Sequence, residues 1–479
     1  MNIIPTPKLI QPEIINANIV SFSPIIKGDI ECLEAIEVFG FYVQKLFNIS
    51  IQLDDEAAIY VEIDESLDDE EYRVEISQSN VIIRAKGNVG VNHAFATILQ
   101  IMQVRGNNIL LPEVTIEDYP DSVYRGMMVD LARNWHSFSY LLSFVDICYF
   151  YKVSVLHFHF TDDQSYTLPS DIYPKLSKKG RSYTKKQIQE LVMYARVRGV
   201  ELLPEIDVPG HSKTFAEAYG ELFGTNGVIC QHLTSMEAMR KLFRELCDMF
   251  PYSKYIHIGG DEAYDMHKWT ECSECCAYAK SVGIDSDMSN KKKLAELFYA
   301  HFISEMAEMC FQNGKQPIVW EGFGKEVNNR ISRNIIVMSW ENLYQLTSEL
   351  LEDGFNVINC SWNPMYVVTP LTMWNPEDVY DWSIYTWKAT HPNSPHHNST
   401  YKALRTSQIL GGQLHAWGDH IQTEYDNVEN GIREERQNLI ERIPMLAEKT
   451  WNVDQRDNYS VFHKRAGELK QRLNILIAR

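Results

Sequence analysis

No apolar run in this chain approaches the length of a bilayer span, so a transmembrane helix is excluded. Basic charge is scarce and scattered: 45 Lys and Arg stand against 64 Asp and Glu, a net charge of −19. With no basic cluster to offset that balance, nucleic acid and anionic membrane are excluded as partners. The start, Met1-Asn2-Ile3-Ile4-Pro5, has no basic segment leading into an apolar one. No secretory signal is read there, and a cytoplasmic location is expected. Nine cysteines, an odd number scattered over 479 residues, do not make a disulfide framework and read as reduced thiols. Internal repeats and low-complexity segments are also absent.

The composition is that of a soluble globular protein: 45% hydrophobic, 23% charged and 11% aromatic. The length fits two to three domains, or one large barrel with a smaller companion. Ten Trp and twenty-five Tyr must mostly serve the core, though aromatic faces also stack on the apolar patches of sugars. One cysteine cluster stands apart, Cys272-Ser273-Glu274-Cys275-Cys276. Cys272 and Cys275 could supply half of a tetrahedral zinc site, with Cys230 and His232 as the other half. The two pairs lack the usual spacing of a matched zinc motif. Otherwise the sequence requires no metal and no cofactor.

Up to about residue 115, short β-like runs alternate with helical ones, as in a small α/β domain. Residues 58–63 and 80–85 read as strands by alternation and β-branching, and 90–103 reads as an amphipathic helix. The segment 112–120, acidic and bounded by prolines, reads as a linker. Beyond it the pattern becomes a regular strand-then-helix alternation, the mark of parallel βα units. Candidate strands are 124–130, 153–160, 200–207, 255–259, 317–320, 335–340, 356–360 and 411–417. Eight strands over this span predict a (β/α)8 barrel, whose chemistry gathers where strands end and loops begin. The expected division is an N-terminal α/β domain over 1–118, a barrel over 119–450, and a C-terminal helix over 451–479 that packs on it.

The strand ends carry the functional argument. Asp130 ends the first, and Thr161-Asp162-Asp163 follows the second. Glu205 and Asp207 lead into Pro209-Gly210-His211 after the third. Tyr255-Ile256-His257-Ile258-Gly259-Gly260-Asp261-Glu262 closes the fourth with two adjacent carboxylates on a glycine-opened end. Trp320-Glu321, Trp340-Glu341 and Trp417-Gly418-Asp419 end the fifth, sixth and eighth. A lone Asp-Glu is commonly just a solvated loop. Acid or Trp at seven of eight ends is instead a constellation at one barrel mouth. Two carboxylates in unlike environments can divide proton donation from charge stabilisation, which glycoside hydrolysis requires. Convergent carboxylates could also hold a metal, but a Trp-rich rim favours a sugar ring.

At these residues the chain resembles glycoside hydrolase family 20, the β-N-acetylhexosaminidases. The matching stretches are Tyr124 through Arg133, Val155 through Gln164, Leu203 through His211 and His257 through Glu262, with Val319-Trp320-Glu321 and the run from Gly411 to Gly418 following in order. The resemblance implies exo-acting release of terminal β-linked GlcNAc or GalNAc from oligosaccharides or glycoconjugates, by substrate-assisted retaining catalysis. The acetamido oxygen of the sugar attacks its own anomeric carbon, and water opens the resulting oxazolinium ion. By the same resemblance Glu262 is the general acid and then base, and Asp261 holds the acetamido N–H. Tyr366 donates to the acetamido oxygen, Asp162 (or its neighbour Asp163) pairs with His211 beside Glu262, and Arg125 grips ring hydroxyls. Trp320, Trp340 and Trp417 wall the pocket, and Asp419 reaches an outer hydroxyl. The chain departs from the family in two places. Val368 stands where an acid commonly follows the tyrosine by two residues, and Asp419 stands where Glu is common. Asp is shorter by about 1.5 Å. Retained chemistry with altered recognition of the far edge of the sugar is therefore expected. Two other functions stay open at this point: a retaining β-glycosidase with a nucleophile of its own, and a non-catalytic carbohydrate-binding protein on the same scaffold.

Overall fold

The structure is a computed structural model that describes residues 3–13, 17–371, 373–394, 396–454 and 458–478. Residues 455–457 and 479 of the expected C-terminal helix, and the first two of the chain, lie outside the described residues.

The N-terminal domain is built on a seven-stranded mixed sheet with Leu33–Phe47 and Asn88–Ile101 as its helices. Alternation sets its faces. In Val81–Ala85, Val81, Ile83 and Ala85 are buried, while Arg84 turns outward to pair with Glu62 and Glu75 across neighbouring strands. The two helices meet through stacked Phe39 and Phe95 rings, 4.2 Å between centroids. The segment 112–120 is not the linker its prolines and acids predicted. Thr115–Asp118 is a strand paired antiparallel with both Leu9–Gln11 and Tyr72–Ile76. Ile116 is buried in that sheet, and the acid Asp118 is buried because Tyr72, Lys152 and Trp451 all donate to it.

The barrel strands are β1 (Tyr124–Asp130), β2 (Val155–His159), β3 (Glu201–Glu205), β4 (Tyr255–His257), β5 (Gln316–Trp320), β6 (Ile336–Ser339), β7 (Asn356–Asn359) and β8 (Ile409–Trp417). All pair in parallel with their chain neighbours, and β8 closes the ring on β1. The closing register places Gly411 beside Tyr124, where a Cβ would come within 1.8 Å of the Tyr124 carbonyl oxygen. Only glycine fits that seam. Met128, Leu203, Ile318 and Met338 fill the interior as packed layers rather than a pore. The C-terminal helix, Tyr459–Ile477, packs on the barrel helix Phe138–Phe150 and also on Leu33–Phe47, so it touches both domains.

Arg125 corrects an expectation. It is the second residue of β1 and therefore lies at the opposite end of the barrel from the strand C-termini. Its guanidinium is fully buried, paired with Glu70 of the N-terminal domain and donating to the carbonyls of Ser122 and Lys152. A cavity of about 650 Å³ opens at this end, lined in part by Glu70, Ser154, Glu201 and Lys254. Arg125 joins domains and cannot reach a sugar at the barrel mouth. Arg125→Leu is expected to lower unfolding stability by about 3 kcal/mol, because Glu70 is left partly buried without its partner. KM of the folded protein should stay unchanged. Denaturant unfolding and steady-state kinetics on the same preparation check both halves.

Candidate active site

At the C-terminal ends of the strands lies a cavity of about 300 Å³. Its acidic side is made by Asp207, Asp261, Glu262 and Glu341, its cationic side by Arg133 and His211, and its aromatic side by Trp340, Trp362, Tyr366 and Trp417. Local backbone explains how Asp261 and Glu262 come to face it. After β4 the chain runs through Gly259 and Gly260 at φ 81° and 103°, then Glu262 at φ 45°. A Cβ on Gly259 would come within 1.9 Å of Asp207 Oδ1, so only glycine lets the loop pass that carboxylate. Glu262 and His211, at φ 41°, both occupy the left-handed region, a strain that the surrounding packing sustains at a functional site.

Hydrogen bonds fix the polar groups in a chain. Tyr264 donates its hydroxyl to Glu262 Oε1 at 2.9 Å, and His211 Nε2 lies 3.6 Å from Glu262 Oε2. His211 Nδ1 is 3.2 Å from Asp162 Oδ1, and Asp162 Oδ2 receives Arg133 Nη2 at 2.8 Å and His159 Nε2 at 3.0 Å. His159 Nδ1 meets the buried Glu205, which also accepts from Trp320 Nε1 at 2.6 Å. Arg133 is held by Asp130 and Asp162, lies 3.3 Å from Asp419, and stands over the Trp417 ring. Asp261 differs from all of these. Its Oδ1 is buried and has no hydrogen-bond partner among the described residues.

Charge follows from these contacts. Burial pushes Asp261 up from 3.8 to about 6, with His211 pulling it down and Glu262 pushing it further up. Burial works against protonation of His211, yet Asp207 and Asp162 outweigh it and hold the imidazole well above its ordinary pKa. Burial also opposes ionisation of Asp162, but Arg133, His159 and His211 bring it well below the usual carboxylate range. The result is an ionised Asp162 and a charged His211 beside Glu262.

Glu341 is the other displaced carboxyl. Burial, then Glu321, Glu262 and Asp261, raise it from 4.5 to about 8. A carboxyl with a raised folded-state pKa is neutral in both states at low pH and charged only in the unfolded chain between the two values. Its contribution to stability therefore falls as pH rises from about 4.5 to about 8. Glu341→Gln should match the parent in stability at pH 4 and exceed it progressively until pH 8, with no further gain above. Paired denaturant titrations across that range measure it, and a constant difference would refute the assignment.

The structure brings Glu262, Asp261, Asp162, His211 and Tyr366 together, with Trp340, Trp417 and Asp419 on the same cavity. Asp163 turns aside, and its carboxylate accepts the Lys213 N–H. Trp320 is a correction: it ends β5 pointing into the barrel, is buried beneath the pocket, and braces Glu205 and the Trp417 ring instead of forming a wall. Arg133, not Arg125, is the guanidinium at the mouth. Asp207 and Glu341, already among the polar strand ends, and Arg133, which closes the first matching stretch, line the cavity although the sequence assigned them no role. Trp362 and His420 in the lining and Tyr264 behind Glu262 are the missed residues. Val368 lines the cavity where an acid was absent from the sequence, so that edge of the pocket is apolar. Away from the cavity, Cys230, Cys272 and Cys275 gather, but His232 does not join them. Its ring caps the helix Leu233–Met249 by accepting from Ser235 N–H.

Fold and site together define a (β/α)8 protein with an acidic, aromatic-walled mouth and a small α/β domain in front. Residues 123–454 match the catalytic domain of glycosyl hydrolase family 20, and residues 1–119 match domain 2 of the same family. The chain belongs to glycosyl hydrolase family 20. It is 27% identical over 338 residues to a beta-hexosaminidase of Vibrio furnissii, covering 63% of this chain and 53% of that protein. A beta-hexosaminidase of Akkermansia muciniphila is 30% identical over 285 residues, 53% of this chain and 56% of that one. The chain thus spans a little over half the length of these two relatives. Against the beta-hexosaminidase subunit beta of Sus scrofa, identity is 27% over 80% of this chain and 73% of the relative. Among solved structures, the exo beta-N-acetylglucosaminidase of Vibrio harveyi superposes with a TM-score of 0.80 at 21% identity, covering 99% of this chain and 77% of that one. The beta-N-acetylhexosaminidase of Bacteroides fragilis gives 0.79 at 21% identity, over 98% and 94% of the two chains. These likenesses carry the fold.

Proposed function

We propose that this protein is an exo-acting β-N-acetylhexosaminidase that removes terminal β-linked GlcNAc or GalNAc from oligosaccharides or glycoconjugates. The observation that carries the reading is Asp261 Oδ1, a buried carboxylate oxygen without a partner among the described residues, beside Glu262 in an aromatic-walled cavity. A buried acceptor of this kind needs a donor from the ligand, and the 2-acetamido N–H of the sugar supplies one. The bound N–H turns the acetamido oxygen toward the anomeric carbon, and negative charge on Asp261 stabilises the oxazolinium ion as it forms. Glu262, held by Tyr264, gives a proton to the departing oxygen and then takes one from the attacking water. Tyr366 orients the acetamido oxygen, Trp340 and Trp417 pack on the acetamido and sugar faces, and Arg133 with Asp419 takes ring hydroxyls.

The apolar edge at Val368 supports relaxed choice between gluco and galacto sugars, or tolerance of a substituted 6-position. Among the described residues no helix is long and apolar enough to cross a membrane. Nine scattered cysteines, an odd number and all free thiols, favour a reducing compartment and action on small glycan fragments there. A panel of aryl β-glycosides with and without the 2-acetamido group tests the function. Turnover confined to the acetamido sugars, with tight inhibition by a thiazoline mimic of the bicyclic intermediate, is expected. Equal rates on plain glucosides would sink the substrate-assisted reading.

A further inference from the structure

Three thiols meet beside the loop that carries Asp261 and Glu262, outside the cavity. Cys272 caps the helix Ser273–Ser281, Cys275 lies in its first turn, and Cys230 comes from the segment after helix Lys213–Phe223. Their sulfurs all lie within 4.8 Å of one another, and those of Cys230 and Cys275 are 3.8 Å apart. Cys230 and Cys275 are buried, Cys272 is half-buried, and none is in a disulfide.

We propose that Cys230, Cys272 and Cys275 bind one zinc ion as thiolates, and that the ion staples the loop bearing Glu262 to the segment 228–231. Geometry argues first. Thiolates about 2.3 Å from a tetrahedral zinc stand about 3.8 Å apart, which is the Cys230–Cys275 spacing. Stoichiometry argues second. A disulfide joins two sulfurs and would strand the third, whereas a metal engages all three. Chemistry argues third: soft sulfur ligands select zinc over hard cations. The fourth vertex falls to water, since His232 is engaged as a helix cap and the Cys276 sulfur lies against the carbonyls of Trp269 and Thr270.

The staple would act on a route already tied by hydrogen bonds. From Glu262 the chain passes Tyr264 and the buried Trp269, whose indole donates to the Ile229 carbonyl at 2.9 Å. The Ile229 N–H donates to the Pro209 carbonyl at 3.0 Å, two residues before His211. A metal at the three cysteines closes this route at its outer end, so it fixes both Glu262 and His211 from behind.

The full chain, purified under reducing conditions without chelator, is assayed for zinc, copper and iron by elemental mass spectrometry. One equivalent of zinc is expected in the parent and in Cys276→Ser, and its loss in Cys230→Ser and Cys275→Ser. Because a serine variant could fail to fold, the parent is also stripped and titrated with cobalt. Thiolate-to-cobalt charge-transfer absorption saturating at one equivalent is expected, with faster hydrogen exchange over 261–272 in the stripped form. No uptake of either metal by the parent, a full equivalent retained by a folded Cys230→Ser, or a mapped Cys230–Cys275 disulfide would each overturn the site. Unchanged exchange over 261–272 would overturn the staple.

Discussion

Glu262→Gln is expected to reduce kcat/KM on an aryl β-N-acetylglucosaminide by about 10²- to 10⁴-fold, the span attached to a positioned general acid. The loss should grow with the basicity of the leaving group. A nitrophenolate departs with little help, so its glycoside retains the most activity, whereas an alkyl or sugar alcohol needs the proton in the transition state. The geometry supports this division of labour, since Glu262 is half-exposed at the cavity rim, where a departing oxygen can lie, and Tyr264 fixes its other oxygen. His211, held by Asp162, lies behind it. A series of leaving groups measured on parent and variant gives the slope directly. Unchanged turnover, or a loss independent of the leaving group, would remove Glu262 from the acid role.

The barrel was legible because its signals are local. β-branched runs separated by helical periods gave eight strands, and each of those runs contains or overlaps an observed strand. Polar residues just past the strands predicted the mouth, because the C-terminal ends of parallel strands always face the same way. The same rule, applied strictly, would have excluded Arg125, the second residue of β1, and pointed to Arg133, three beyond its end. Trp320 failed for a different reason. It ends β5 as Trp417 ends β8, but one side chain sinks to Glu205 while the other rises to the cavity, a difference set by tertiary packing. Tyr264 opens a short 3-10 helix (Tyr264–Thr270) and Trp362 a single helical turn (Trp362–Met365), both too short to show a periodic signal, and only the fold brings them near Glu262 and Tyr366. The segment 112–120 misled because two prolines and several acids outweighed a short alternation whose partners lie some forty and a hundred residues earlier. Three of the four suggested zinc ligands converge, which the unmatched spacing did not reveal.

Asp261→Asn should show opposite effects on turnover and on stability. Turnover of 2-acetamido glycosides is expected to fall by about 10²- to 10³-fold, the scale of removing one preorganised charge partner of the transition state. An asparagine can still accept from the acetamido N–H, so KM should move far less than kcat. The pH profile adds a sign. The proposed mechanism needs the carboxylate, and burial, partly offset by His211, places its ionisation near 6, so the parent should gain kcat/KM as pH rises through that value. The variant should lose this acid limb. Stability runs the other way. An acid whose folded-state pKa lies above its unfolded value destabilises the fold as pH rises between them, here from 3.8 to about 6. At pH 7 the parent keeps a buried charge whose Oδ1 has no partner among the described residues, and the amide removes that charge. Asp261→Asn is therefore expected to raise the denaturation midpoint at pH 7 and to match the parent below pH 3.8. The coincidence of lost turnover with gained stability distinguishes an electrostatic contribution to the transition state from a structural one, because a residue needed only for folding would lose both.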